Sequence, residues 1–221
     1  MTKSRDPASS LKEACVQAAR EVIAERGVEN LSMRDVARKL DISHQAPYRH
    51  FESRDHLLAE IMRRCFADFA QHLDDHPRTG QPEADLEAMG HAYLNYALKK
   101  PLEYRLMFGT QWPEPAQHPA LVQHAVHAFN LLRDSLRAMH GQPADQHAQA
   151  DRQAMFIWSA LHGMASITQA NVMQHLNLAA GVEQALPQDM MARIGLGLGL
   201  NLPDLVPPAP AAPKPKRNRA T

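Results

Sequence analysis

Between residues 43 and 50 the chain sets six hydrogen-bonding side chains, Ser43, His44, Gln45, Tyr48, Arg49 and His50, within about two helical turns. Hydroxyl, imidazole, amide and guanidinium groups at this density suit nucleic-acid recognition. A Gln amide pairs with adenine, a guanidinium pairs with guanine, and hydroxyls reach phosphates or bases. Ser32 and Arg34 upstream and Arg54 downstream extend the candidate set. No nucleophile–base pair, phosphate loop or cofactor fingerprint appears, so neither catalysis nor a cofactor is expected.

Two short helices are expected to position these groups. In Leu31 to Phe51 (LSMRDVARKLDISHQAPYRHF), Leu31, Val36, Ala37 and Leu40 recur at helical spacing and share one face. Ser32 stands where a cap belongs, with Asp35 three residues on as an acidic stand-in for the Glu of a capping box. Leu40-Asp41-Ile42 breaks the pattern. Ser43 is then placed to cap a second helix running towards His50, with Pro47 early in it, where a missing N–H costs little. Two helices joined by so tight a turn form a helix-turn-helix, whose second helix enters the DNA major groove. Upstream, Ser9 or Ser10 caps a helix whose stripe of Leu11, Cys15, Ala18, Ala19, Val22 and Ile23 supplies its core, ending at Gly27 in a left-handed position.

The run from Leu31 through APYRHF to SRDHLL (Ser53 to Leu58) resembles the N-terminal domain of the TetR family of transcriptional regulators. Tyr48, His50, Phe51 and Arg54 fill that family's YxHF element and the basic position after it, and the Ala-rich first helix ends in the matching Gly27-Val28 pair. Asp41 departs from the pattern, which has Gly there because the backbone takes positive φ; Asp tolerates this at a cost of about 1 kcal/mol or less. Trp158 to Gly163 (WSALHG) is similar to the W-x-x-x-H-G element of one C-terminal subgroup. The resemblance implies a homodimer on a palindromic operator of double-stranded DNA, released by a small-molecule effector. Repression is that family's usual mode.

The composition is compatible with this. Almost nothing alternates as a strand would, so the fold class is all-α; the resemblance implies an N-terminal three-helix DNA-binding domain with the helix-turn-helix, plus a larger C-terminal helical ligand-binding and dimerisation domain. Formal charge is zero overall but uneven along the chain. Residues 1–66 carry 12 Lys and Arg against 10 Asp and Glu, residues 67–206 carry 8 against 14, and the tail from 207 carries 4 against none. DNA affinity needs a local basic face, not a basic whole. Residues 153–182 lack charged side chains, yet Gln153, His162, Gln169, Asn171, Gln174 and His175 interrupt the run, which excludes a membrane span. With no apolar leader at the polar N-terminus, the expected location is cytoplasmic. Cys15 and Cys65 are isolated, inert core residues. His124 and His127 share a helix face but lack a third ligand, so no metal site is expected.

The domain reading is residues 1–8 disordered, 9–52 DNA-binding, 53–202 ligand-binding and dimerising, and 203–221 a disordered, basic Pro/Ala-rich tail. A helix opening at Ser53-Arg54-Asp55 buries Leu57, Leu58, Ile61, Met62, Cys65, Phe66, Phe69 and Leu73, and puts Arg54 near a DNA phosphate, with pairing to Asp55 or Glu52 as the alternative. Further helices are read near Leu86 to Lys99, Pro101 to Gly109, Leu121 to His140, Gln146 to Gln174 and Glu183 to Leu200. The fourth of these, which lacks charge from residue 153 on, is expected to be buried on most of its circumference, in a core or an interface. Gly195 and Gly199 would allow a neighbouring helix close. In the mechanism the resemblance implies, a small apolar effector enters the second domain, with Tyr93, Tyr96, Met107, Phe108, Phe129, Trp158 and His162 as the candidate lining; the alternative for these residues is plain core. Two other readings stay open: a ligand-independent dimeric DNA-binding protein, and a helical small-molecule-binding protein without a specific DNA site.

Overall fold

The computed structural model describes residues 7–75, 79–140 and 147–199, and no strand occurs among them. The helices are α1 (Pro7–Arg26), α2 (Met33–Lys39), α3 (Arg54–Asp74), α4 (Pro82–Lys99), α5 (Pro101–Phe108), α6 (Pro119–His140), α7 (His147–Gln169) and α8 (Val182–Gly197). They form two compact units, residues 1–155 and 156–221, with the boundary inside α7. The expected boundary at 52/53 is not a break in packing, because α3 lies against α1 as well as against α4, α5 and α6. The basic tail lies outside the described residues.

Pro7 opens α1, a position that loses no helical hydrogen bond. Helix thus reaches back past the expected start at residue 9, and Ser9 and Ser10 lie inside it instead of capping it. Cys15, Val16, Ala18, Ala19, Val22 and Ile23 form its buried stripe. It stops at Gly27, whose φ of 86° and ψ of 159° belong to a region open essentially to glycine. A Cβ there would also sit 2.7 Å from Glu29 Oε2.

α2 begins at Ser32, whose hydroxyl oxygen accepts the Asp35 N–H at 3.1 Å while its O–H donates to the Asp35 carboxylate. Its end is a Schellman turn. Ile42 N–H donates to Ala37 O at 3.1 Å and Asp41 N–H to Arg38 O at 3.2 Å, around Asp41 at φ 53°. The positive φ expected at this non-glycine position is therefore present.

The expected second helix from Ser43 to His50 is not α-helical. A turn at residues 44–46 runs into a 3₁₀ turn at Pro47–Arg49. Its bonds span three residues: Ala46 N–H to Ser43 O at 3.0 Å, Arg49 to Ala46 at 3.2 Å and His50 to Pro47 at 3.0 Å. Pro47 has no N–H to return to the Ser43 carbonyl four residues back, so Ala46 takes that carbonyl and the coil tightens.

α3 is capped by Ser53, whose hydroxyl accepts the His56 N–H at 3.3 Å, and every apolar residue expected on its inner face is buried. Around it in the first unit stand α4, α5 and α6, and an aromatic group fills the space. Phe69 meets Tyr96 at 5.0 Å and Tyr93 at 5.4 Å, Phe66 meets Phe108 at 5.7 Å, and Tyr104 meets Phe108 at 4.9 Å, all between ring centroids. These tilted and edge-to-face contacts are those ring quadrupoles favour. Arg20 of α1 pairs with Glu103 of α5, which ties the N-terminal helix to the same core.

In the second unit α7 ends at Gln169, short of the expected Gln174, and Asn171 follows with φ 54°. Ile157, Leu161 and Ala165 are buried along one face of α7. The expectation of burial nearly all round is not met within one chain, since Phe156 is 50% and Ile167 49% exposed on the opposite face. Gly195 of α8 is buried, and Gly197 makes a close approach, since a Cβ there would lie 3.3 Å from the Phe156 ring. Gly199 takes φ 73° at the helix end, facing open space.

Candidate nucleic-acid interface

The Schellman turn at Asp41 and the cap at Ser53 bracket the segment that carries the recognition side chains. Pro47 and Phe51 point inwards and are buried, which anchors the 3₁₀ turn at both ends. Ser43, His44, Gln45, Tyr48 and Arg49 point outwards, and Tyr48 is 48% exposed despite its ring. Among the described residues none of these five makes a hydrogen bond or ion pair through its side chain. His50 is half-buried. Arg34, on α2, is exposed. Five polar side chains without internal partners on a rigid turn are what a surface built to bond another molecule requires.

Two of the residues expected to contact DNA have other work. The Ser32 hydroxyl is spent on the α2 cap. Arg54 was expected beside a phosphate or paired with Asp55 or Glu52; its Nη1 does donate to Asp55 Oδ1 at 3.0 Å, while its Nε donates to Leu31 O at 3.0 Å and its Nη2 to Val28 O at 2.7 Å. The two carbonyls belong to the link between α1 and α2, so Arg54 clamps that link to the start of α3. Sequence reasoning placed Arg54 at a helix N-terminus, where phosphate binding is the ordinary inference. The carbonyls that claim it lie 23 and 26 residues earlier.

Most other cations nearby are also paired: Arg38 and Arg26 with Asp35, Lys39 with Glu21 and Glu25, and Arg64 with Glu13 and Glu60. Lys12 lies 5.8 Å above the Phe51 ring, on the recognition side of α1, a position sequence reasoning did not single out. Among the described residues Arg34, Arg49 and Lys12 make no ion pair.

The residues expected to line an effector site fall into two groups. Tyr93, Tyr96 and Met107 are buried in the first unit, and Phe108 stacks among them. Phe129 of α6 is half-buried there too. The Tyr93 and Tyr104 hydroxyls share a hydrogen bond of 2.7 Å, and the Tyr96 hydroxyl donates to Asp68 Oδ2 at 2.9 Å. Burial, with the Asp68 charge added for Tyr96, pushes the Tyr96 and Tyr104 phenols far above their usual range, so both remain protonated donors. Phe66, Phe69, Tyr104 and Trp112 belong to the same cluster and were not anticipated as lining. Phe66 and Phe69 were legible as one face of α3, but only the fold sets them against α4 and α5. Trp158 and His162 lie in the second unit, with ring centroids 6.4 Å apart. Burial lowers the His162 pKa, which favours its neutral form.

Cys65 is pushed up to about 12 by burial and Cys15 is raised by the same cause, so neither thiol is a nucleophile. Among the described residues no three His, Cys, Asp or Glu side chains gather as a metal site would need, and no helix is long and apolar enough to cross a membrane.

Comparison with known proteins agrees with this arrangement. Residues 16–61 match the family model described as bacterial regulatory proteins of the tetR family, and residues 86–192 match a tetracyclin repressor-like C-terminal domain. The HTH-type transcriptional regulator Mb1846 of Mycobacterium bovis is 29% identical over 119 residues, 52% of this chain and 50% of that protein, so the match spans about half of the relative's length. Among solved structures, the regulatory protein SCO4313 superposes with a TM-score of 0.71 at 24% identity, covering 87% of this chain and 98% of that one. The multidrug binding protein EbrR, solved with imidazole, gives 0.56 at 20% identity, covering 90% and 93%. At these identities the structures speak for the fold alone. With one family model on the segment that bears the recognition turn and the other on the helices after α3, the chain belongs to the TetR family of bacterial transcriptional regulators.

Proposed function

We propose that the protein is a homodimeric, cytoplasmic DNA-binding regulator, a repressor that leaves a palindromic operator when a small, mostly apolar molecule binds it. The observation that carries this reading is the outward set Ser43, His44, Gln45, Tyr48 and Arg49, held on a turn fixed at both ends and without internal partners. Gln45 and Arg49 supply the bidentate base contacts, Arg34 and Lys12 neutralise phosphates, and Ser43 and Tyr48 fix the register. Two copies would read half-sites about one helical turn or more apart. The exposed face of α7, with Phe156 and Ile167, supplies the apolar surface a second copy would cover. The aromatic cluster around Phe69, Tyr93 and Phe108 offers the effector ring faces and protonated phenols, and α3 runs from that cluster to the recognition turn. A structural relative described as a multidrug binding protein supports an effector of this class. An effector that weakens operator affinity 100-fold needs about 2.7 kcal/mol of differential binding.

The test is selection of random duplex DNA by the purified protein at near-physiological salt, followed by sequencing. An enriched palindrome that a Tyr48→Ala/Arg49→Ala variant fails to enrich is the expected result. No enrichment by folded, dimeric protein freed of small molecules would overturn the reading.

A further inference from the structure

α6 meets α3 through two histidines that belong neither to the recognition turn nor to the aromatic cluster. His118, just before α6, is 7% exposed and sets its ring edge-to-face against His56 in the first turn of α3, with centroids 4.8 Å apart and planes at 82°. Its Nε2 is buried without a hydrogen-bond partner. Further along α6, His124 Nε2 lies 3.1 Å from Arg63 Nη1. A guanidinium only donates, so this bond exists only while His124 Nε2 keeps its lone pair. A proton there turns a hydrogen bond into an imidazolium facing a guanidinium.

Nearby carboxylates would relieve that repulsion if they were unengaged, and they are not. The charged groups facing His124 are Arg63, Glu60 and His127. Glu60 takes two hydrogen bonds from Arg63, at 2.7 and 2.9 Å, and one from Arg64 at 2.7 Å. Those facing His118 are His56 and Asp55. Asp55 is exposed and held by Arg54, while Glu52, near His56, is 86% exposed and screened by water. Burial first, then His56 for His118 and Arg63 for His124, holds both imidazoles below the usual histidine range. Contacts made by such neutral histidines are intact above the ordinary histidine pKa of about 6.5 and are lost as pH falls through it towards the depressed folded values.

We propose that the α3–α6 seam is a proton-operated latch: His118 and His124 hold α6 on the first half of α3 while neutral, and acidification frees that half of α3 and weakens the grip on the operator. The regulatory half of this rests on the DNA-binding reading above. α3 carries the effect because its cap at Ser53 follows the recognition turn directly and Arg54 ties it to α2.

The test uses the full chain and His118→Phe/His124→Gln, in which the ring volume and the acceptor for Arg63 remain but neither site titrates. Each single variant serves as a control for folding. Amide exchange of α3 and α6, corrected for intrinsic pH dependence, is read between pH 7.5 and 5.5, and operator dissociation is read in parallel. The latch predicts loss of α3 protection and faster dissociation at acid pH in the wild-type protein, with both changes diminished in the double variant. The comparison is always between the wild-type protein and the variant at the same pH. Equal pH profiles for exchange in the two proteins would overturn the latch itself. A difference in exchange with none in dissociation would overturn its control over DNA. Failure of the wild-type protein to bind any duplex would instead sink the DNA-binding reading, while exchange still decides whether the seam opens.

Discussion

Replacing Arg54 with alanine separates two roles that one side chain could have. In the structure its guanidinium donates to Leu31 O and Val28 O at 3.0 and 2.7 Å, and its side chain is 36% exposed. A hydrogen bond from a charged donor contributes about 1.5–3 kcal/mol, and partial exposure favours the lower end. Losing two such bonds should cost about 2–4 kcal/mol, partly because the carbonyl of buried Leu31 loses a donor, whereas Val28 O keeps the Leu31 N–H at 3.2 Å. With a urea slope of about 2 kcal/mol/M, the midpoint of unfolding at fixed protein concentration should fall by about 1–2 M. Operator affinity should fall at every salt concentration while its salt dependence keeps the wild-type slope, because no phosphate contact has been removed. A phosphate role predicts the reverse: an unchanged midpoint and a slope of log K against log salt shallower by about 0.9 per lost contact, or about 1.8 for a dimer. Arg54→Lys sharpens the contrast, since it keeps the charge but loses the fork that reaches both carbonyls. An unchanged midpoint with a shallower slope would refute the clamp.

Other consequences are equally direct. Glu60 is 15% exposed and is held down to about 2, where burial alone would raise it and the hydrogen bonds from Arg63 and Arg64 outweigh burial. The stability this contributes, at most about 3 kcal/mol, is full above about pH 5 and is lost as pH falls towards 2, so Glu60→Gln should lower the urea midpoint at pH 7 and flatten its acid limb. Asp41→Gly should stabilise by up to about 1 kcal/mol by relieving the left-handed residue, and Asp41→Val should destabilise, both read from thermal or urea midpoints. Ile167→Glu should leave the circular dichroism spectrum unchanged and convert a dimer into a monomer in sedimentation; a dimer that persists would place the interface elsewhere.

Much of the local structure was legible because it depends on neighbours within five residues. The Ser32 cap, the opening of α3 at Ser53, the positive φ at Asp41, the glycine stop at Gly27 and the inner face of α3 all follow from side-chain type and helical period. The recognition segment was legible as a set of residues but not as a conformation. The pattern from Ser43 to His50 fits a helix, and Pro47 looked harmless near its start; the carbonyl it leaves without a donor is enough to tip so short a segment into 3₁₀ turns. Likewise, the absence of charge over residues 153–182 pointed to burial, and a single chain covers only part of that surface.

By itself, then, the sequence determined the helices, most of their ends, the outward polar set at 43–49 and the family, because each is encoded in short-range spacing. Tertiary structure decided what the long side chains do. Arg54 reaches carbonyls up to 26 residues away, Arg63 reaches His124 61 residues away, and Tyr96 reaches Asp68 28 residues away. A flexible Arg or Tyr bonds to whatever polar group the packed backbone brings within about 3 Å, and that group is chosen by how the helices cross, which spacing along one helix does not specify.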